Sequence, residues 1–434
     1  MTGSLLQKNP SDFLLKFMKI ALESSENQNM KILIISQYFY PENFRINDFA
    51  FSLAKRGHEV TVLSGLPNYP RGKFFGRFSV FKEELINEVK VIRVPLIPRF
   101  KSKGWQLGVN YLSFLFSSLF FGPFLIRDFK PDVIFTASYS PATVGIIGVF
   151  FSRLKKAKMM LWVQDLWPQS LSATGAIKSE SILRVFRSMV IWIYKRSDFI
   201  LVQSKSFIEE IKQYNIEDKK IYFFPNWAED LYRENNPVNN EYSKLIPEDK
   251  FIIMFAGNLG KAQSLDTIFE AASLTQKSEI HWVLIGDGRE RRHLEQKIIE
   301  KDLDNISLLG SYPVETMPIF FSMADALLVT LKNDPIFSAT IPGKLQSYML
   351  SKKPIIASLD GEGLRIISDS GCGLSSQSED PVGLSNKAIE LSQLSEEVRE
   401  NMGIRGLEYY QKFFDREIFI QRFENLLKLQ NLTE

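Results

Sequence analysis

The chain has 434 residues, which excludes a single ordinary core and suits two domains of roughly 200 residues each, and its 45% hydrophobic and 24% charged content is that of a globular protein. Its single cysteine excludes an internal disulfide, and its three histidines are too scattered to form a zinc site. The net charge is +3, but residues 30–226 hold 28 Lys+Arg against 15 Asp+Glu, whereas the rest holds 25 against 35. The basic half predicts an anionic partner surface, and because no nucleic-acid-binding motif occurs we expect no nucleic acid.

The first half of the chain predicts a parallel sheet. Residues 1–29 are polar with two short apolar patches, and we expect a poorly ordered N-terminal extension there. Over residues 30–225, short apolar strands alternate with amphipathic helices, such as 47–56 with Gly57 as its cap, which is typical of a doubly wound domain. The predicted strands are 32–36, 60–64, 89–94, 132–137, 159–164, 199–203 and 221–224.

The second half repeats this pattern. Residues 226–250 are polar and contain two prolines, so we interpret them as a linker. A second doubly wound domain is predicted over residues 251–412, and a C-terminal helix over residues 413–434. The predicted strands of the second domain are 251–256, 282–285, 306–309, 326–330 and 354–358.

One region of the first half departs from the pattern, because no charged residue occurs from position 104 to 126. Phenylalanines and leucines surround the helix predicted there, so it does not face water. Its length approaches a membrane span, yet Pro123 and several polar residues interrupt it. Basic residues flank it and the apolar segment 144–151, which favours an interfacial surface touching anionic lipid; the alternative is a helix wholly buried inside the protein. These basic residues are Lys101, Lys103, Arg127, Lys130, Arg153, Lys155, Lys156 and Lys158.

Two glycine-rich turns follow predicted strands of the second half, at the sheet edge where ligands bind in open parallel sheets. One turn holds Gly257, Asn258 and Lys261, and the other holds Gly286, Asp287 and Gly288. Glycine lets a ligand approach the backbone, and Lys261 is a cation suited to a phosphate. Either turn alone also fits ordinary strand-to-helix geometry.

A third turn signal begins a helix. Pro342-Gly343 breaks the chain, and residues 344–350 have apolar side chains at helical spacing. The first turn of this helix has unpaired backbone N–H groups and the positive end of a dipole, to which Lys344 adds a full charge. This is a place to hold a phosphate, and the alternative is a helix start with a solvated lysine.

The order of these pieces, with an Ala324-Asp325 strand start between the second turn and the helix, resembles the retaining, nucleotide-sugar-dependent GT-B glycosyltransferases of family 4. The resemblance covers about residues 30–430. Within the family, the chain is most similar to the L-fucosamine-transferase-like branch of bacterial O-antigen and capsule enzymes. The segments that carry this likeness are 36–42, 57–60, 164–168, 257–263 and 341–346, with Asp-Leu-Trp-Pro and Lys-Leu-Gln the most specific.

The resemblance implies an α/β protein in which two Rossmann-like, doubly wound parallel-sheet domains face a cleft. It implies that a UDP-sugar is the co-substrate, that no metal is needed, and that a sugar, an N-acetylated amino sugar by the branch, is transferred with retention. The acceptor implied is an undecaprenyl-diphosphate-linked saccharide, with the enzyme peripheral on the inner face of the cytoplasmic membrane. Two rivals are a UDP-sugar epimerase of the same fold and a non-catalytic partner in polysaccharide assembly.

The likeness also assigns roles residue by residue. As catalytic residues it implies Asp165, Lys261 and Lys344. As donor-binding residues it implies Gly257, Asn258, Lys261, Gly286, Asp287, Gly288, Tyr312, Val314, Pro342, Gly343, Lys344, Leu345 and Gln346. As acceptor-binding residues it implies Glu42, Asn43, Arg45, Asp165 and Trp167.

The chain departs from the family at the diphosphate site. The family's two carboxylates fall on Ser338 and Gln346 here, and its diphosphate-binding arginine and lysine fall near Asn258 and Gln263. Lys261 and Lys344 are therefore the available cations, and Gln346 is left to hydrogen-bond a ribose hydroxyl through its amide.

Overall fold

A computed structural model describes residues 29–76, 81–101, 103–173, 175, 177–233 and 240–431. The expectation of a poorly ordered extension at 1–29 therefore lies, apart from residue 29, outside the described residues.

The first domain contains an eight-stranded sheet in the order β3-β4-β2-β1-β5-β6-β7-β8. All neighbours are parallel except β3, which is antiparallel to β4. The strands are β1 (Lys31–Ile35), β2 (Glu59–Gly65), β3 (Lys82–Ile86), β4 (Val89–Val94), β5 (Val133–Ser138), β6 (Lys158–Val163), β7 (Phe199–Val202) and β8 (Ile221–Phe223). The helices are α1 (Arg45–Lys55), α2 (Gly104–Leu125), α3 (Val144–Lys155), α4 (Gln169–Ala173), α5 (Glu180–Arg196) and α6 (Lys205–Lys212).

The second domain contains a parallel six-stranded sheet in the order β11-β10-β9-β12-β13-β14. The strands are β9 (Phe251–Ala256), β10 (Ile280–Ile285), β11 (Ile306–Gly310), β12 (Ala326–Thr330), β13 (Ile355–Ser358) and β14 (Gly373–Ser376). A short helix α7 (Asn240–Ser243) precedes this sheet. The helices that follow are α8 (Leu265–Leu274), α9 (Arg291–Glu300), α10 (Met317–Ser322), α11 (Pro335–Ser338), α12 (Gly343–Leu350), α13 (Gly361–Ser370), α14 (Pro381–Gln393), α15 (Glu396–Phe413) and α16 (Arg416–Asn431).

The two doubly wound sheets confirm the predicted fold class, while two edge strands escaped prediction. The sequence of β3 is rich in charge and only partly buried, and that of β14 is Gly-Leu-Ser-Ser. Both lie at sheet edges, where one side of the strand has no neighbour and an apolar run is not required. Central strands such as β9 and β12, whose residues are almost all buried, match their predicted bounds.

The C-terminal helix α16 returns to the first domain and completes its core. The side chains that it buries there are Phe419, Ile420, Phe423, Leu426 and Leu427. The Phe423 ring centroid lies 5.0 Å from that of Phe49 and 5.5 Å from that of Phe135. The Arg416 guanidinium pairs with Asp48 at 2.9 Å and with Asp230 at 2.7 Å. The helix therefore ties the end of the chain to helix α1.

The described residues of the segment interpreted as a linker, 226–233 and 240–250, pack into both domains. Trp227 is fully buried in the first core, where its ring stacks on Trp162 at 5.8 Å and its indole N–H donates to Asp48. Tyr232 and Ile246 are buried in the second core. Residues 226–250 are thus polar by composition, but their few large apolar residues anchor each end.

Helix α2 has the reverse of the usual amphipathic arrangement. Its polar residues face the protein: Asn110 is fully buried, its amide donating to the Ile97 carbonyl at 2.6 Å and accepting from Gln37 at 2.7 Å. Its outer face is apolar, with Phe116 65% and Phe124 75% exposed. The alternative of a wholly buried helix is therefore wrong. By length and composition this helix is also the one candidate membrane span among the described residues.

The packing of α16 generates a stability prediction. Replacing Phe423 with alanine removes a fully buried ring and leaves a cavity in the first core. We therefore expect the free energy of unfolding to fall by about 3–5 kcal/mol. Denaturant unfolding followed by tryptophan fluorescence measures it, because Trp162 and Trp227 lie in the same core. Phe124→Ala, at an exposed ring, is the matched control and should change the midpoint little. Equal midpoints for the two variants would contradict the structural role assigned to α16.

Candidate active site

A cleft of about 360 Å³ opens between the two domains, where the carboxyl ends of first-domain strands face the second domain. From the first domain it is lined by Tyr139, Gln164, Asp165, Gln203 and Asn226, and from the second mainly by Gln263, Phe337, Thr340, Pro342, Gly343 and Lys344. Ligands bind at this edge of open parallel sheets. The cleft is therefore the candidate active site.

Lys344, in the first turn of α12, enters this cleft. Its ammonium donates to the Gln263 side-chain oxygen at 2.6 Å and lies 3.4 Å from the centroid of the Phe255 ring. Burial against these groups lowers its pKa well below the ordinary value, because desolvation disfavours the charged form and no carboxylate of the described residues pairs with it. An anionic ligand in the cleft would supply the missing counter-charge.

The start of α12 is open to the cleft at Gly343, which is exposed. The next two predicted donor contacts point elsewhere. Leu345 is fully buried in the second core. The Gln346 side chain is also buried, and its amide nitrogen donates to the carbonyl oxygens of Pro342 and Gly343 at 3.0 Å each. Gln346 thus braces the turn that carries Lys344 instead of pointing toward a ligand.

The two strand-end turns pack so closely against each other that their glycines cannot be replaced by larger residues. The φ angles of Gly257 and Gly286 are +149° and +141°, which favour glycine. A Cβ on Gly286 would lie 1.8 Å from the Gly257 carbonyl oxygen, and one on Gly288 would lie 2.2 Å from that of Leu259. A Cβ on Gly257 would meet the Lys344 side chain at 2.9 Å. Because Gly257 has no side chain, the Lys344 side chain can pass over the first turn.

The polar residues of these turns are exposed, and Lys261 lies away from the cleft. Asn258 and Asp287 face solvent, with the Asp287 carboxylate accepting from the Gly288 N–H at 2.7 Å. Lys261 lines a separate depression of about 120 Å³ beside Asp266 and His293. Among the two predicted cations, the structure brings Lys344 into the cleft and leaves Lys261 outside it.

Tyr312 and Val314, predicted beside the donor base, pack on the second core. The Tyr312 ring lies 4.8 Å from Phe320 and 5.8 Å from Tyr242 in edge-on contacts. Both residues remain partly exposed. Only the backbone of this turn and one edge of each side chain are therefore left for a ligand.

Asp165 lies in the first-domain wall of the cleft, directly after β6 and Gln164. Burial without a cationic partner raises the pKa of its carboxyl to about 6. Beside it, the Asn226 amide donates to the Gln164 side-chain oxygen at 2.7 Å, which leaves the Gln164 nitrogen and the Asn226 oxygen without partners among the described residues. A buried donor and a buried acceptor next to each other suit a hydroxyl group.

Glu42, predicted to bind the acceptor, is almost wholly buried and organises two loops instead. Its carboxylate accepts from the backbone N–H groups of Phe39 at 3.2 Å, Asn68 at 2.8 Å and Tyr69 at 2.7 Å. Burial raises its pKa to about 7 in spite of these bonds. The carboxylate joins the loops after β1 and β2, so its role is structural.

The other predicted acceptor residues are also distributed differently. Arg45 forms an ion pair with Glu229 at 2.6 Å, which ties α1 to the interdomain segment. Asn43 is exposed. Trp167 is buried and meets Phe186 edge-on at 5.3 Å, so its ring belongs to the core and not to the cleft wall. Of the predicted acceptor residues, Asp165 is the one that lines the cleft.

Several residues of the cleft were missed from the sequence, and for three of them, all in the first domain, a signal existed. Tyr139 follows β5, Gln203 follows β7, and Asn226 comes three residues after β8. Each follows a parallel strand at its carboxyl end, which is the rule that identified the glycine turns of the second half. The same rule applied to the first half would have found them.

Comparison with known proteins agrees with this geometry. Residues 43–227 match the glycosyl transferase 4-like domain, and residues 239–408 match the domain described as glycosyl transferases group 1. The chain is 28% identical to the Pseudomonas aeruginosa protein named glycosyltransferase WbjE over 244 residues, which are 55% of this chain and 60% of WbjE. It is 25% identical to Escherichia coli WcaI, named as a colanic acid biosynthesis glycosyl transferase, over 74% of this chain and 81% of WcaI.

Solved structures show the same fold. Sucrose-phosphate synthase from Thermosynechococcus elongatus superimposes with a TM-score of 0.69 and 15% identity, covering 94% of this chain and 100% of the other. Anabaena HepE, crystallised with UDP, superimposes with a TM-score of 0.67 and 15% identity, covering 92% and 100%. The chain is a glycosyltransferase with the GT-B fold, built from a glycosyl transferase 4-like domain followed by a group 1 domain.

Proposed function

We propose that this enzyme transfers a sugar from a UDP-sugar to an undecaprenyl-diphosphate-linked saccharide, with retention, in the synthesis of a bacterial surface polysaccharide such as O-antigen or capsule. The name of WcaI and the UDP in HepE support the product class and the donor. The branch resemblance favours an N-acetylated amino sugar. The observation that carries the proposal is the position of Lys344, an unbalanced cation at a helix start inside the cleft.

Lys344 and the first turn of α12 are proposed to bind the donor diphosphate. The C–O bond between the sugar and the diphosphate breaks, and the leaving UDP gains negative charge in the transition state. An ammonium and a helix N-terminus stabilise that charge without a metal. The uracil is proposed to contact backbone groups of the turn at 310–316, since the Tyr312 ring packs on the core.

Asp165 is proposed to accept the proton of the attacking acceptor hydroxyl. For the configuration to be retained, the new bond joins that oxygen to the anomeric carbon on the face that UDP leaves, and the proton must leave the oxygen as the bond forms. A carboxylate with a pKa of about 6 is ionised at neutral pH and is still basic enough to take it. The unpartnered amide groups of Gln164 and Asn226 are proposed to bind a sugar hydroxyl beside it.

The membrane part of the proposal rests on helix α2. Its exposed side chains recur every four residues and so lie on one face. They include Leu112, Phe116, Phe120 and Phe124, with Trp105 68% exposed near the start of the helix. Lys101 and Lys103 precede this face, and Arg127 and Lys130 follow it, all exposed. An apolar face between two basic ends suits the boundary of an anionic leaflet, where a lipid-linked acceptor holds its sugar.

One of the basic residues expected at the membrane has another role. The Lys155 ammonium donates to the carbonyl oxygens of Ile126 at 2.6 Å and Arg127 at 2.9 Å. It thereby caps the C-terminal end of α2, where cations are favourable. Charge changes aimed at the membrane are better made at Lys101 and Lys103, which precede the helix.

Removal of Lys344 tests the donor site. We expect Lys344→Ala to weaken UDP binding tenfold or more and to lower turnover about 10²–10³-fold, because a preorganised cation at the leaving group is lost. Calorimetry with UDP and release of UDP from a panel of UDP-N-acetylhexosamines measure these changes. Lys261→Ala is the matched control, since Lys261 lies outside the cleft, and should have a far smaller effect. A larger loss in Lys261→Ala would reject this assignment.

Asp165 generates a prediction about pH. Its carboxyl becomes protonated as the pH falls through about 6, so kcat/KM should fall as the pH is lowered below that value. Asp165→Asn should lower kcat about 10²-fold or more and remove this acidic limb. Asp302→Asn, at an exposed loop, is the control and should keep both the rate and the profile. If Asp165→Asn retains the acidic limb, another group is responsible for it.

The apolar face of α2 generates a prediction about attachment. Phe116→Ser combined with Phe120→Ser should release most of the protein from anionic phospholipid vesicles, since each ring is worth about 1.5–3 kcal/mol when buried. Lys101→Glu with Lys103→Glu should weaken binding mainly at low salt, because charge attraction is screened. Ile299→Ser, an exposed apolar residue of the second domain, is the control. Unchanged sedimentation of the double serine variant with vesicles would refute membrane docking through α2.

A further inference from the structure

A second cavity, of about 500 Å³, lies at the junction of the two domains and shares Ile341 with the active-site cleft. The first domain contributes Lys205 and Phe223 to its wall. The second contributes residues of α13 and α15. This cavity lies outside the transfer reaction proposed above, since the residues assigned to donor and acceptor do not line it.

The wall of this cavity has an excess of positive charge. Its cations are Lys205, Arg365, Arg405 and Lys412, and its carboxylates are Asp369 and Glu408. Arg365 is paired, with Glu362 at 2.5 Å and with Asp369 at 3.2 Å. The other three cations have no carboxylate within 4 Å among the described residues. This excess stands out because the chain outside residues 30–226 is acidic overall.

Of the unpaired cations, Arg405 is held by a backbone carbonyl and Lys412 lies beside an aromatic ring. The Arg405 guanidinium donates to the Gly371 carbonyl at 2.9 Å, which fixes its direction. The Lys412 ammonium lies 5.1 Å from the Phe413 ring, which is 39% exposed. The Tyr409 ring adjoins Phe413, with centroids 4.5 Å apart. The wall therefore combines charge for a phosphate with flat apolar surface for a sugar or base ring.

We propose that this cavity is a second binding site, for an organic phosphate ester, that regulates the closure of the two domains. The phosphate binds Lys205 from the first domain together with Arg405 and Lys412 from the second. The ring of the ester packs on Tyr409 and Phe413. A ligand held from both sides favours the closed arrangement, because it loses half of its contacts when the domains separate.

The neighbouring contacts show how closure is coupled to this site. The Glu362 carboxylate, on α13, accepts from the backbone N–H and the hydroxyl of Ser206 at 2.8 Å each, across the domain junction. The Ser204 hydroxyl donates across it to the Ala339 carbonyl at 2.5 Å. Lys205 lies between these two serines, and Arg365 binds the same Glu362 carboxylate. A ligand on Lys205 therefore acts directly on the contacts that join the domains.

Binding of two probes tests the site. Glucose 6-phosphate and AMP represent a sugar phosphate and a nucleotide, and the tighter binder identifies the ring that the cavity accepts. We expect the Arg405→Gln/Lys412→Gln variant to bind the preferred probe about tenfold or more weakly, as two charge-assisted contacts are lost. Lys277→Gln, an exposed lysine elsewhere on the second domain, and Lys344→Ala should bind it as the wild type does. Retained UDP binding by the double variant shows that it is folded.

Three results would overturn the proposal. The first is that neither probe binds the wild type at millimolar concentration. The second is that the double variant binds as tightly as the wild type. The third is that Lys344→Ala loses probe affinity, which would assign the probe to the active-site cleft.

The regulatory part of the proposal has its own measurement. Hydrogen exchange of the Ser206 amide should slow when the probe binds, since Glu362 accepts from it only with the domains together. Unchanged exchange in the presence of bound probe would contradict coupling to closure.

Discussion

The burial of helix α16 in the first domain is the interaction on which the rest of the structure depends. The chain leaves the second domain after α15, and the rings of Phe419 and Phe423 then complete an aromatic core around Phe49 and Trp227. Arg416 adds ion pairs to α1 and to the interdomain segment. Because two segments cross between the domains and both end in packed cores, the carboxyl ends of the two sheets are held facing each other. This packing acts together with the direct contacts of Ser204 and Ser206 across the domain junction.

Within the cleft, the positive charge comes from Lys344 of helix α12, one of the two cations predicted from the sequence. The family pattern places cations in the glycine-rich turn, whereas here that turn holds Asn258 and Gln263. Lys344 reaches the turn from α12, crosses Gly257 where no side chain obstructs it, and donates to Gln263. The Gln263 oxygen accepts a hydrogen bond from the Lys344 ammonium, whereas a lysine at position 263 would repel it. Glutamine at 263 and lysine at 344 are therefore compatible. Of the two predicted cations, Lys344 is the one that lines the cleft.

Helix α2 is apolar on its outer face and carries polar side chains on the face that packs against the first domain. The hydrogen bonds of Asn110 to Gln37 and to Ile97 lie inside, where a polar side chain must be paired. The rings of Phe116, Phe120 and Phe124 are left outside, although burial would favour them. Exposing these rings to water costs free energy. A membrane, a partner surface or another apolar environment that covers the rings removes this cost. The proposal of an anionic leaflet as this environment is based on the lysines and arginines that flank the face.

Local periodicity and turn chemistry were enough to predict the strands other than the edge strands β3 and β14, the two-domain α/β fold, the glycine turns and the helix that begins at Gly343. The sequence by itself identified Asp165 and Lys344 but assigned Trp167 and Glu42 to the acceptor site, since spacing along a chain does not say which way a side chain points. Only the tertiary structure decided that Lys344 and not Lys261 enters the cleft, that α16 belongs to the first core, and that the phenylalanines of α2 face outward. These outcomes follow from packing between segments far apart in the chain, and local pattern carries no information about such contacts.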